Sequence, residues 1–242
     1  MERVAAHEDA DQDEPDEFQP LDKVLDPAAG HGTFIAGIID QVAPGCGIEL
    51  HRRLSTAGDG DEWAIVRCIE ALAAARPVVD LLNLSFGGYV LEQPFALAWA
   101  IRQVQATGTV VVASAGNDGT CRATFPASLP DVVSVGAVGP SGPAPFSNYG
   151  PWVRACAPGV DLVSTFFTGF DGATPPFGDG NDPDKFDGWA RWSGTSFAAP
   201  VVVGALARMM MTGLTAAQAV ERVITDPSLM RIPNLGTVVN TT

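Results

Sequence analysis

Three stretches, far apart in the chain, carry side chains fit for acyl-transfer chemistry. The first reads Ser193-Gly194-Thr195-Ser196-Phe197-Ala198-Ala199-Pro200 and places the Ser196 hydroxyl where a loop turns into an apolar helix. The run from Phe197 to Met211 is rich in Ala, Val, Leu and Met, holds Arg208 as its one charge, and reads as a helix buried on most sides. The free N–H groups and partial positive charge at the head of such a helix favour an oxyanion over a neutral oxygen. Pro200 falls in the first turn or just past it, where a missing N–H costs little. Taken alone, Gly-Thr-Ser fits a plain N-cap at Ser196 or Thr195 equally well.

The second stretch is Gly30-His31-Gly32-Thr33, followed by Phe34, Ile35, Ile38 and Ile39 on one helical stripe, so His31 opens a helix. The dipole at that end disfavours the imidazolium and keeps a histidine neutral and able to accept a proton near neutral pH. The glycines on either side let a backbone or substrate come close. The third stretch, Ser114-Ala115-Gly116-Asn117-Asp118-Gly119, follows a buried strand and offers the Asn117 amide as a donor, although asparagine is also common in plain turns. Together they supply a nucleophile, a base and an oxyanion donor.

The segments between these residues alternate strand and helix. Ile48 to Arg52 reads as a short strand, Glu62 to Ala75 as a helix with Ile65, Cys68, Ile69 and Leu72 inward, and Val78 to Leu84 as a buried strand ending in Ser85-Phe86-Gly87-Gly88. Phe95 to Ala106 is a second amphipathic helix, and Thr109 to Ala113 and Val132 to Val138 are further strands. Pro140 to Pro145 reads as a turn, Trp152 to Ala157 and Asp161 to Ser164 as short strands, and Thr168 to Asp187 as a long surface loop or hairpin. A capped amphipathic helix from Leu214 to Ile224 follows. Strand–helix–strand units of these lengths predict an α/β fold: a doubly wound, mostly parallel sheet with helices on both faces, with ligands at the carboxyl ends of the strands.

Composition narrows the partners. A net charge of -14, from 28 acidic against 14 basic residues, opposes nucleic acid or an anionic membrane surface. No apolar run of about 18 residues predicts a membrane span. Met1-Glu2-Arg3-Val4 leads into acids instead of the basic-then-apolar start of an export signal. Cys46, Cys68, Cys121 and Cys156 lack metal-finger spacing and fit two disulfides or four thiols. A Cys121–Cys156 bridge would stabilise by about 4 kcal/mol, whereas Cys68, inside a helical pattern, is expected free and buried. The acidic run Glu8 to Glu17 has almost nothing to bury. Its carboxylates make a calcium site conceivable, but no Gly-punctuated loop spaces them as ligands.

The order His-Gly-Thr, Ser-Ala-Gly-Asn, Gly-Thr-Ser-Phe-Ala-Ala-Pro, each in its structural setting, resembles the subtilisin-like (subtilase) serine peptidases from about Gly30 to Ile224. Ala198 stands where an α/β-hydrolase elbow needs its second glycine. The resemblance implies a three-layer peptidase S8 fold, with Ser196 as nucleophile, His31 as base and then acid, and Asn117 as oxyanion donor beside the Ser196 N–H. It implies that Ser85, Phe86, Gly87 and Gly88, with Ser114, Ala115 and Gly116, pair with an extended peptide or protein substrate and line the pocket for the side chain before the cut bond. Broad endoproteolysis with no required cofactor follows, and secretion with a propeptide is usual in the family.

One family feature is not matched. An apolar strand ending in Asp-Ser-Gly or Asp-Thr-Gly should precede the histidine, and Asp9, Asp11, Asp13, Asp16, Asp22 and Asp26 all lie in a polar run instead, so no triad Asp is identified. By resemblance that strand belongs in the middle of the sheet, and without it neighbouring strands keep unpaired backbone groups. Either the chain starts downstream of that strand, or it is a relative that has lost the carboxylate. Loss of that Asp costs roughly four powers of ten in rate. The chain is accordingly read as an acidic, poorly ordered segment at 1–29 and a catalytic domain, incomplete at its start, at 30–242. A peptide-binding protein without catalysis is the rival reading, and a small-ester hydrolase a third.

Overall fold

A computed structural model describes residues 4–6, 25–171 and 185–240. In chain order the elements are β1 (Val4–Ala6), α1 (His31–Val42), β2 (Ile48–Leu50), α2 (Glu62–Ala74), β3 (Leu81–Leu84), α3 (Phe95–Ala106), β4 (Val110–Ser114), β5 (Val133–Gly139), β6 (Gly142–Pro143), β7 (Ala155–Pro158), β8 (Leu162–Asp171), β9 (Lys185–Trp192), α4 (Thr195–Met210), α5 (Ala216–Val220), β10 (Arg231–Ile232) and β11 (Gly236–Val238). The main sheet runs β10-β11-β7-β5-β4-β3, parallel except for β10 and for β6, which folds back on β5.

Strand β4 shows why the run from Val110 is apolar without a break. Val111 and Ala113 face α2 and α3, Val112 faces α1 and α4, and none of the three has exposed surface. A strand buried on both faces needs apolar residues at every position, not at alternate ones. Each such valine stabilises by about 1.5–3 kcal/mol on burial. Helix α4 sits at the centre of one layer, packed on α1 and across β3, β4, β5 and β7. Gly204 allows that approach: a Cβ there would lie 2.6 Å from the Cβ of Val42 on α1.

The main sheet ends, among the described residues, at β3. Among the described residues β2 pairs with β1 alone, in parallel, with Val4 opposite Ile48 and Ala6 opposite Leu50. Between β2 and β3 lies a cavity of about 810 Å³, reached by His31 and Ser85 and walled by apolar side chains of α1, α2 and α4.

Several boundaries differ from the sequence reading for visible reasons. Strand β3 starts at Leu81 and not Val78, because the Val79 carbonyl accepts from the Thr109 hydroxyl at 2.6 Å instead of joining the ladder. The short strand expected at Asp161–Ser164 runs on to Asp171 and pairs antiparallel with Lys185–Trp192, so the arms of the polar Thr168–Asp187 segment are strands, and its tip lies outside the described residues. Terminal helix α5 begins at the Thr215–Gln218 capping box and passes at Glu221 into a π-turn. Strands β10 and β11 are too short to show a period. Cys68, Cys121 and Cys156 are free thiols, so no Cys121–Cys156 bridge forms; Cys68 is half-buried, not buried as expected, Cys121 is exposed, and burial pushes the Cys156 thiol up to about 12. Asp26, read from the sequence as part of a polar run, is itself buried and accepts from the Thr56 hydroxyl. The acidic run Glu8 to Glu17 lies outside the described residues. Among the described residues no cluster of three or more His, Cys, Asp or Glu could hold a metal, and no helix is long and apolar enough to cross a membrane.

Candidate active site

Ser196 sits in the first turn of α4, where helical N–H groups have no acceptor within the helix. Its hydroxyl donates to the Ser85 carbonyl at 3.2 Å, and the Ser85 hydroxyl donates back to the Ser196 carbonyl at 2.7 Å. Asn83 supports the pair by donating to the Ser85 hydroxyl at 2.9 Å. The head of α4 is thereby tied to the carboxyl end of β3.

Asn117 arrives from the next strand, β4. Its Oδ1 accepts from the Thr195 backbone N–H at 2.8 Å and from the Thr195 hydroxyl at 2.9 Å, and that hydroxyl accepts from the Gly116 N–H at 3.0 Å. A carboxamide oxygen has two lone pairs, so both are committed and the NH2 end must face the other way. It faces the head of α4: the Asn117 Nδ2 lies 3.5 Å from where a Cβ on Gly194 would be. The Thr195 hydroxyl therefore serves Asn117 and caps nothing.

His31 is held by different forces. Gly30 before it adopts φ 70°, and a side chain there would strike the Phe166 ring, so only glycine lets β8 lie this close to the start of α1. Hydroxyls on β8 complete the join: Ser164 donates to the Phe34 carbonyl at 2.7 Å and Thr165 to the Thr33 carbonyl at 2.9 Å. The imidazole packs edge-on to Trp192 at 5.8 Å and against Phe197 at 5.3 Å, and Phe34 packs on both of those rings. Burial among aromatic rings pushes the His31 pKa down to about 4, so the ring is neutral near pH 7. Among the described residues no carboxylate reaches it.

The three stretches read from the sequence come together at the head of α4, with the Ser196 hydroxyl donating to the Ser85 carbonyl and not to His31. Ser196 and Asn117 meet through Thr195, and His31 touches Phe197, the residue after Ser196. The residues expected from the sequence to face substrate divide. Gly88 exchanges both backbone hydrogen bonds with Phe125, at 2.9 and 3.0 Å, and the Ala115 backbone is used internally by Val135, Thr124 and Asn148. Ser114 and Ala115 are buried, while Gly87 is exposed beside the cleft.

The sequence pattern of the subtilase family matches residues 3–226. The chain belongs to the subtilase family. A thermophilic serine proteinase of Bacillus sp. (strain AK1) is 34% identical over 224 residues, covering 85% of this chain and 48% of that protein. Subtilisin DY of Bacillus licheniformis is 32% identical over 195 residues, covering 75% of this chain and 63% of that protein. The chain thus spans about half to two thirds of the length of these relatives. A crystal structure of a cold-adapted subtilisin-like serine proteinase superposes with TM-score 0.73 at 26% identity, covering 99% of this chain and 82% of that one. The three-layer α/β architecture of this subtilase is that of its relatives, and the family match starts nearer the N-terminus than the motifs did.

Sequence reasoning missed the residues that hold this subtilase site together. Thr195 was visible only as part of the nucleophile motif. Asn83, Trp192, Tyr89 and Asn148 carried no motif, and only the strand end before Ser85 hinted at Asn83.

Proposed function

We propose that this chain carries the catalytic apparatus of a serine endopeptidase acting on extended peptide segments. The observation that supports it most is the double commitment of the Asn117 oxygen to Thr195, which leaves its amide donors at the helix head where Ser196 stands. In this reading an extended substrate lies along Ser85–Gly87, and its carbonyl carbon meets the Ser196 oxygen. His31 takes the hydroxyl proton, the carbonyl oxygen becomes an oxyanion received by the Ser196 N–H and the Asn117 amide, and the imidazolium returns the proton to the leaving amine. No cofactor is required for these steps. The net charge of -14 disfavours nucleic acid as a partner.

Among the described residues nothing fixes the His31 tautomer, so turnover is expected to be slow, by roughly four powers of ten if no carboxylate joins the ring. That same observation favours a second reading, a subtilase-like protein that binds peptides without cutting them. Fluorophosphonate labelling separates the two. Covalent labelling that disappears in Ser196→Ala supports the peptidase; peptide binding with no labelling, unchanged in Ser196→Ala, supports the rival.

A further inference from the structure

Asn148 has no exposed surface and lies in the irregular segment between β6 and β7. Its Oδ1 accepts from the Asp118 and Thr120 N–H groups, each at 3.1 Å, and its Nδ2 donates to the Ala115 carbonyl at 2.9 Å and to the Tyr89 hydroxyl at 2.8 Å. Its backbone N–H donates to the Gly116 carbonyl at 2.9 Å. The carboxamide is thus fully satisfied, with two bonds accepted and two donated. Residues on both sides of Asn117 are bonded by Asn148, and Asn117 itself is not. Gly116, at φ 103°, is where a side chain would collide with the Asn148 amide, so the backbone presses directly on it. Asn148 is in turn rooted on β5, because the neighbouring Ser147 hydroxyl accepts from the Ala137 N–H at 2.9 Å.

We propose that Asn148 is a positioning residue for the oxyanion donor, acting through Asn117 by holding the Ala115–Thr120 backbone, with the Tyr89 hydroxyl tying this clamp to the Ser85–Gly88 segment that follows β3. The link is direct: Tyr89 follows Gly88, and its hydroxyl donates to the Asp118 carboxylate at 2.7 Å while accepting from Asn148. The inference rests on reading Asn117 as the oxyanion donor. A displacement of about 1 Å at such a donor costs on the order of 100-fold in rate, and a buried clamp with four committed bonds prevents that displacement.

The test is a double-mutant cycle on the full chain, read by the rate of fluorophosphonate labelling and by hydrolysis of an activated peptide p-nitrophenyl ester. Asn148→Ala should lower kcat on the order of 100-fold with little change in KM, and in an Asn117→Ala background it should lower kcat by less than about 3-fold. Tyr89→Phe, which removes one hydroxyl and leaves the fold intact, should cost about 3- to 10-fold with the same loss of effect in that background. Equal costs in both backgrounds, or losses confined to KM or to the fraction of labelled protein, would overturn the inference. If Asn148→Ala does not fold, the Tyr89→Phe cycle decides. A parent protein that neither labels nor hydrolyses the ester overturns the peptidase reading and this inference with it, whereas a reactive parent with additive mutants overturns this inference alone.

Discussion

The two halves of the site are held by different physics. On the Ser196 side, Ser85, Asn83, Thr195 and Asn117 form a chain of directed hydrogen bonds between 2.7 and 3.2 Å, and each fixes the orientation of the next. On the His31 side the ring is located by Trp192, Phe197 and Phe34, which give it a place but no polar orientation. Hydrogen bonds specify angle, and aromatic packing specifies mainly position and dryness. The Ser196 side is therefore preorganised, whereas the His31 side is placed and desolvated. Variants that damage one half should leave a different signature from those that damage the other.

The largest effect should come from breaking the packed half. Phe34 is fully buried against Trp192 and Phe197, and Phe34→Ala should cost about 3–5 kcal/mol of stability together with activity. Urea denaturation checks it, and a cost under about 1 kcal/mol would show that the aromatic box is not what seats His31. Asn117→Ala should invert the pattern: a loss of about 3 kcal/mol in transition-state stabilisation, a magnitude that comes from this same family, against a smaller stability loss from the Thr195 N–H left without its acceptor. Equal kcat/KM for parent and variant on an activated ester would remove Asn117 from the chemistry.

The same contrast predicts a pH dependence. Burial lowers the His31 pKa from 6.5 to about 4, so as pH falls the unfolded chain takes up the proton first. The stability tied to a neutral His31 is complete above about pH 6.5, declines between there and about 4, and amounts to at most about 3 kcal/mol. Urea midpoints across that window, parent against His31→Gln, should converge as pH falls. The acid limb of kcat/KM should lie well below 6.5. A limb near 7 would mean that a carboxylate has joined the imidazole and raised its pKa.

What the sequence made legible follows the same division. Helices α1 to α4 and strand β4 show in it because a periodic stripe, or an unbroken apolar run, is a local consequence of burial: Phe34, Ile35, Ile38 and Ile39 lie where the 3.6-residue period puts them. The three candidate side chains stood out because each sits at or near an element terminus with glycine in the same motif. Asn148 and Tyr89 did not, since a polar residue whose partners lie 28 to 59 positions away leaves no local trace, and Asn83, whose partner Ser85 is two residues on, looks like any strand-end asparagine. Nor was the β8–β9 hairpin fully legible: Gly, Pro and Asp in its connecting segment mask arms whose Thr165, Phe166 and Trp192 are ordinary strand formers. The Asp26 burial escaped notice because its partner Thr56 comes from a turn 30 positions on, and the short apolar stretch around it, Val24, Leu25, Pro27 and Ala28, carries no periodic pattern.

Thr195→Val is the smallest and most discriminating change, because it keeps size and branching while deleting one oxygen. Two bonds disappear, the hydroxyl's donation to the Asn117 Oδ1 and its acceptance from the Gly116 N–H, while the Thr195 backbone still donates to Asn117 at 2.8 Å. With one of two anchors left, the Asn117 amide gains freedom without being lost. The expected cost is roughly 10-fold in kcat, about 1.4 kcal/mol, with KM little changed. The orphaned Gly116 N–H should separately lower stability by about 1–3 kcal/mol. A full 100-fold loss would mean that the hydroxyl itself faces the oxyanion, and no loss at all would mean that the backbone N–H alone fixes the donor. Either result would redraw the oxyanion half while leaving the aromatic half around His31 as it stands.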